Sequence, residues 1–217
     1  MLERYIQRLS VADVGLEEPS TTRERLKDRF ARGATRRMTQ LGMLIGTALD
    51  DIEPEADDAV VYASAYGESR ALEGYLDSFP GASPTLFQTS IHPSAVQQAL
   101  IGRQQPIREF FPMTGRAHLP AHALQAAALC GASRVLFCGG EERGTWLLES
   151  TVASDRCFAF ALALTGNPAA AIARIQLCTT EEPAAEFTLP MFFDALVARR
   201  SINCIAGPGT RLIVEWL

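Results

Sequence analysis

Apolar and polar positions alternate over Tyr5–Leu9, which predicts a short first strand. Residues 15–33 are polar and charged throughout and read as an exposed loop or arm. Thr35 can cap a helix through "RRMTQLGMLIGTALDD", where Met38, Leu41, Leu44, Ile45, Ala48 and Leu49 share one stripe. Gly42 and Gly46 in that helix would permit close packing against a neighbour. The β-rich run 59–67 predicts a strand turning at Gly67, and "ESRALEGYLDSF" an amphipathic helix stopped by Pro80-Gly81. A loop from Phe87 to Pro93 precedes a helix over Ser94–Gly102, and "PIREFFP" reads as a short strand. "HLPAHALQAAALCG" is a helix with Pro120 in its first turn and Gly131 as its stop.

The second half reads as strands. "SRVLFCGGEE" is a continuous apolar run suited to a strand covered on both faces, ending in a glycine turn. "CFAFALALTG" and "AAIARIQLCT" are two more strands, and "GNPA" between them reads as a hairpin link. A helix begins near Pro190, and "TRLIVEWL" closes the chain as a strand after "GPG". There is no internal repeat, low-complexity tract or interdomain linker. The chain therefore reads as a single layered α/β domain over 1–217, mixed in strand direction, with 17–33 as an exposed basic arm.

Composition narrows the function classes. Hydrophobic residues make up 47% and charged ones 21% of 217 residues, enough for a packed core without staples. A net charge of −5 argues against a nucleic-acid binder, which needs a basic face. The local exception is the arginine-rich Arg23–Arg37, either a solvated arm and helix start or a docking site for an acidic partner such as an acyl carrier protein. The five cysteines (Cys130, Cys138, Cys157, Cys178 and Cys204) are widely spaced in apolar runs, as reduced cytoplasmic thiols are. No membrane span is expected, because "CFAFALALTG" is too short to cross a bilayer.

The three histidines limit the chemistry. His118 and His122 stand at i and i+4, but Leu119 occupies the place of a zincin glutamate and no third ligand is near, so no metal is expected. "GGEERG" lacks both the dinucleotide spacing and a P-loop lysine, so no cofactor is expected. Its Glu141 and Glu142 read as exposed or paired with a nearby arginine. There is no G-x-S-x-G elbow, although Ser90 and His92 would share a face if their segment were a strand, making a dyad conceivable.

Three segments in order carry a family resemblance. "SPTLFQTSIHPSA", "MTGRAHLPAHALQAAALCGASRVLFCGGEE" and "RRMTQLGMLIGTALDD" resemble, in turn, the Ser-x-His segment, the active-site turn with its helix and Gly-Gly-x-Glu-Glu strand, and the basic-pair helix of β-ketoacyl synthases. The chain is most similar to the short β-ketoacyl synthase-like, N-terminal proteins of aryl polyene and xanthomonadin-type pigment clusters. The resemblance implies a thiolase-like half-fold, α/β/α in layers, around a mixed sheet of about five strands. It also implies a ketosynthase partner, as heterodimer or homodimer, with Phe87, Phe110, Phe111 and Met113 at an interface or acyl tunnel. Arg32, Arg36 and Arg37 would dock a carrier protein.

The departures point away from condensation. The family's nucleophilic cysteine should fall near Thr114, where the sequence is "PMTGR"; Cys130 lies about four helical turns on. The family's two catalytic histidines belong to a second half without counterpart in these 217 residues, and Pro93 replaces the asparagine after His92. Decarboxylative condensation needs a thiolate to hold the acyl chain and histidines to stabilise the enolate. Two readings follow: a catalytically impaired subunit of chain-length-factor type, or an acyltransferase or thioesterase using Ser90 or Thr114 with His92 or His118.

Overall fold

The computed structural model describes residues 1–217. Its strands are β1 (Leu2–Gly15), β2 (Ala59–Ser64), β3 (Glu109–Thr114), β4 (Arg134–Glu141), β5 (Cys157–Thr165), β6 (Ala173–Thr179), β7 (Ile202–Gly207) and β8 (Thr210–Trp216). All eight lie in one sheet, in the order β3-β2-β4-β5-β1-β6-β8-β7. β2 runs parallel to β3 and β4, and every other pairing is antiparallel. The helices are α1 (Pro19–Leu26), α2 (Gln40–Asp51), α3 (Ser69–Asp77), α4 (Pro84–Ser90), α5 (Ser94–Gly102), α6 (Leu119–Leu129), α7 (Trp146–Glu149) and α8 (Leu189–Val197).

The side chains of β5 explain how the layers form. Phe158, Phe160, Leu162 and Leu164 point to one face and build a core with Val61 and Phe137, beneath Leu124 of α6 and Phe192 and Phe193 of α8. The alternate residues Cys157, Ala159, Ala161 and Ala163 are small, and α2 and α5 pack over them. Large residues on one face and small ones on the other let α2 approach the sheet closely. The α2 glycines serve the same closeness: a Cβ on Gly42 would meet Gln98 Oε1 at 2.9 Å, and one on Gly46 would meet the Phe30 ring at 2.9 Å. The three-layer α/β/α expectation holds.

The sheet has eight strands, where about five were expected. The largest departure is β1, which reaches from Leu2 to Gly15. Its residues 2–6 pair with β6 on one side and its residues 5–15 with β5 on the other, the β5 pairing carrying a register shift between Ile6 and Arg8. β1 therefore lies between β5 and β6, and "GNPA" is a crossing over β1 instead of a hairpin turn. Ile172, just past it, donates its N–H to the Ile6 carbonyl at 2.8 Å. β7 escaped prediction because it is an edge strand of mixed polarity, with Asn203 exposed beside buried Ile202.

Two segments read as loops are helical. Residues 17–33 do not form a free arm: α1 occupies Pro19–Leu26, anchored by buried Thr22 and Leu26, although its charged side chains face outward. Part of the loop expected at Phe87–Pro93 belongs to α4, whose cap is the Ser83 hydroxyl accepting from the Leu86 N–H. Helix α2 starts later than expected, with Thr39 as its cap, because Thr35 is taken into a short 3₁₀ turn over Ala34–Arg37.

β4 passes between β2 and β5 without room for side chains at two positions. A Cβ on Gly139 would stand 2.6 Å from the Ala63 carbonyl oxygen, and one on Gly140 2.3 Å from that of Phe158 and 2.8 Å from Leu41. Backbone cannot yield as a flexible side chain does. Gly140→Ala is expected to cost about 3 kcal/mol in urea denaturation, against less than about 1 kcal/mol for Gly131→Ala, whose Cβ would meet open space.

Candidate functional site

The turn between β3 and α6 is where the resemblance places the nucleophile. Thr114 ends β3, beside Ser64 of β2, and its side chain is exposed. His118 caps α6 in the left-handed backbone region at φ 63° and ψ 8°, a conformation few non-glycine residues adopt. Three contacts hold it there. Its N–H donates to the Phe187 carbonyl at 3.1 Å, its carbonyl accepts from the His122 N–H at 3.1 Å, and its Nδ1 lies 2.9 Å from the Ala206 carbonyl. A carbonyl only accepts, so the ring proton sits on Nδ1 and Nε2 is left as the acceptor. No hydrogen bond joins His118 to Thr114. Cys130 is at the far end of α6, as its C-cap residue.

The other sequence candidates are dispersed. Ser90 turns its hydroxyl to the Phe87 carbonyl of its own helix at 2.8 Å. His92 is stacked on Tyr62 at 4.9 Å between ring centroids, with Nδ1 3.4 Å from Glu68 Oε2. Ser90 and His92 are therefore not on one strand face, and no hydrogen bond joins them. The rings of His118 and His122 lie 6.4 Å apart, and no cluster of three or more His, Cys, Asp or Glu side chains is arranged to hold a metal. Phe110, Phe111 and Met113 are half-buried on β3, one of the two edge strands of the sheet, whose outer row of backbone groups has no partner strand. Phe87 is exposed, 5.3 Å from Tyr75. Arg32, Arg36 and Arg37 are exposed in and just before the 3₁₀ turn that leads into α2.

The strongest chemical feature departs from the sequence expectation. Glu141 and Glu142 are neither exposed nor paired with arginine; they are 0% and 1% exposed. Glu141 accepts from the Ala65 N–H at 2.6 Å, the Ser64 hydroxyl at 3.0 Å and the Tyr66 N–H at 3.3 Å. Burial nevertheless pushes its carboxyl up to about 8, against the pull of those donors. Glu142 accepts one N–H, from Leu41 at 3.2 Å, and burial pushes it up to about 7. Glu68 and Glu73, each 2% exposed, complete the group. Glu68 receives the Ala95 N–H at 2.9 Å at the start of α5, and Glu73 the N–H groups of Thr145 and Leu147 at 2.7 and 2.9 Å around α7. One signal was present: "GGEE" continues a strand buried on both faces, so acidic residues in that register had to be buried too.

No protein-family model and no curated protein matches the sequence. Among solved structures, a chain of the ketosynthase ApeO complex with its chain length factor ApeC, from Xenorhabdus doucetiae, aligns with a TM-score of 0.70 at 20% identity. The alignment covers 99% of this chain and 100% of that one. The chain has the thiolase-like fold of the ketosynthases. The ishigamide ketosynthase/chain length factor aligns at TM-score 0.61 and 14% identity, over 81% of this chain and 67% of the other. AntDE, a ketosynthase in complex with its acyl carrier protein AntF, aligns at 0.53 and 9% identity, over 83% and 70%. No helix of the chain is long and apolar enough to cross a membrane.

The buried glutamates give the fold a pH dependence. A carboxyl raised in the folded state binds its proton more tightly there than in the unfolded chain. Its stabilising contribution is complete below the unfolded value of 4.5 and lost as pH rises through the folded value of about 8 for Glu141 or about 7 for Glu142. The melting temperature is expected to fall between pH 5 and 8, and Glu142→Gln, which keeps an acceptor for Leu41, should flatten that fall. Each proton released on unfolding contributes a slope of about 1.4 kcal/mol per pH unit. An unchanged slope in the variant would show that Glu142 does not titrate with folding.

Proposed function

We propose that this chain is a ketosynthase-like subunit without condensing activity of its own, which pairs with an active ketosynthase as chain length factors do. The observation that carries the proposal is the β3–α6 turn. The fold brings a strand, a turn and a helix N-terminus together, and the residues there are Thr114, Gly115, Arg116, Ala117 and His118, with no thiol among them. Burial pushes the Cys138 and Cys157 thiols well above the ordinary thiol range, beyond useful ionisation. Thr114 has no hydrogen-bonded base, and His118 spends one ring nitrogen on a backbone carbonyl.

The unpaired β3 edge supports a partner at that side of the sheet. Pro112 sits in it, as proline is tolerated in edge strands, and Phe110, Phe111 and Met113 lie half-buried along it. In this reading those residues and Phe87 face the partner or its acyl chain. Arg32, Arg36 and Arg37, none of them in an ion pair, form the face that receives an acidic carrier protein. The pathway suggested by the sequence resemblance is fatty acid or aryl polyene pigment synthesis, and the setting is the cytoplasm. The domain is a single unit across 1–217, and no cofactor is involved.

Incubation of the chain alone with an acyl carrier thioester should leave its mass unchanged and release no acyl group. A covalent acyl adduct that disappears in Thr114→Ala or Ser90→Ala would overturn the proposal in favour of an acyltransferase or thioesterase. On co-expression with its ketosynthase, the chain should co-purify, and Met113→Glu should weaken association by about tenfold or more, as for a desolvated interface position.

A further inference from the structure

Four arginines line one cleft where α1, the 3₁₀ turn before α2, α3 and α4 meet. They are Arg23, Arg36, Arg37 and Arg70, and the cleft measures about 280 Å³, near the lower end of the range for small-molecule sites. These arginines are poorly paired. Arg23 reaches only the Met38 carbonyl at 3.5 Å, Arg70 stands 4.0 Å from Glu18, and Arg36 and Arg37 make no ion pair. Several arginines elsewhere in the chain have close partners: Arg134 holds Asp58 at 2.9 Å, and Arg156 holds Asp194 at 2.8 Å. The protein is acidic overall, so this concentration of unpaired positive charge is a local property of the cleft.

The second observation is the residue beneath. Glu142 belongs to the lining of the same cleft, is 1% exposed, and its Oε2 has no hydrogen-bond partner. Thr39, also in the lining, accepts the Gly42 N–H at 2.9 Å with its hydroxyl oxygen. A buried carboxylate oxygen without a donor is costly, and a ligand that brings one removes the cost. The site thus asks for two things at once: several anionic oxygens for the arginines and a hydroxyl for Glu142. A lone carboxylate offers too few oxygens for four guanidinium groups, whereas a phosphate presents enough for several charge-assisted bonds.

We infer that this cleft binds a small phosphate ester carrying a hydroxyl group, with the phosphate on Arg23, Arg36, Arg37 and Arg70 and the hydroxyl on Glu142. The cleft shares Arg36 and Arg37 with the proposed carrier-docking face, but it stands on Arg23, Arg70 and Glu142, which that face does not use. Carrier docking in turn involves Arg32, which is not part of the cleft lining.

Calorimetric titration of the full chain with glycerol 3-phosphate, in buffer free of phosphate and sulfate, tests the inference. Saturable binding is expected, weakened about tenfold or more in the Arg23→Gln/Arg70→Gln double variant and unchanged in Arg32→Gln. Methyl phosphate, which has the charge without the hydroxyl, should bind roughly tenfold more weakly, and Glu142→Gln should shrink that preference. Absence of saturable binding, or equal binding by wild type and double variant with matching circular dichroism, would overturn the site. Equal affinity for the two esters would overturn the role of Glu142. Loss of carrier-protein binding in Arg32→Gln with glycerol 3-phosphate binding intact would separate the two surfaces.

Discussion

A pair of buried carboxyl groups at the end of β4 is the constraint around which the neighbouring segments are arranged. Glu141 and Glu142 end a strand with no cation beside them, and each must find donors from elsewhere in the chain. Glu141 finds three just past the end of β2, and Glu142 finds the N–H of Leu41 in the first turn of α2. Glu68 and Glu73 repeat the device at α5 and α7. Backbone N–H groups left open at helix starts and strand ends thus meet buried carboxylates, so segments far apart in sequence are held without ion pairs. The glycines before Glu141 bring β4 close enough to its neighbours for these reaches to be short.

This arrangement separates framework from chemistry. The parts of the fold that make a strand–turn–helix junction are intact and tightly held, down to the left-handed His118 that opens α6. The groups that would use such a junction for acyl transfer are missing or turned elsewhere. Ser90 bonds its own helix, His92 is stacked on Tyr62, and the buried thiols lie in apolar surroundings that oppose ionisation. In the function proposed above, that junction is kept for shape, with the open β3 edge as the surface on which shape matters.

Much of this was legible in the chain. The period of the apolar residues located α2, α5, α6, β4 and β5, because each buries a regular face or, for β4 and β5, both faces. The sheet order was not legible, because insertion of β1 between β5 and β6 is a long-range choice that no local pattern records. Two apolar strands separated by "GNPA" look like a hairpin whether or not a third strand lies between them. The arginines before α2 were visible as a charge run, but their sharing one cleft with Arg70 depends on how α3 and α1 fold back together. Glu141 and Glu142 misled for a related reason: acidic residues after glycines suggest a surface turn, and only the burial of β4 to its last residue reverses that.

The central claim is that this chain does no condensation itself yet is required by a ketosynthase that does. Product formation by the purified partner ketosynthase, followed by mass spectrometry with and without this chain, tests it most directly. The account expects full-length product only when the chain is present, and no product from the chain alone. The same product at the same rate from the ketosynthase by itself would contradict it.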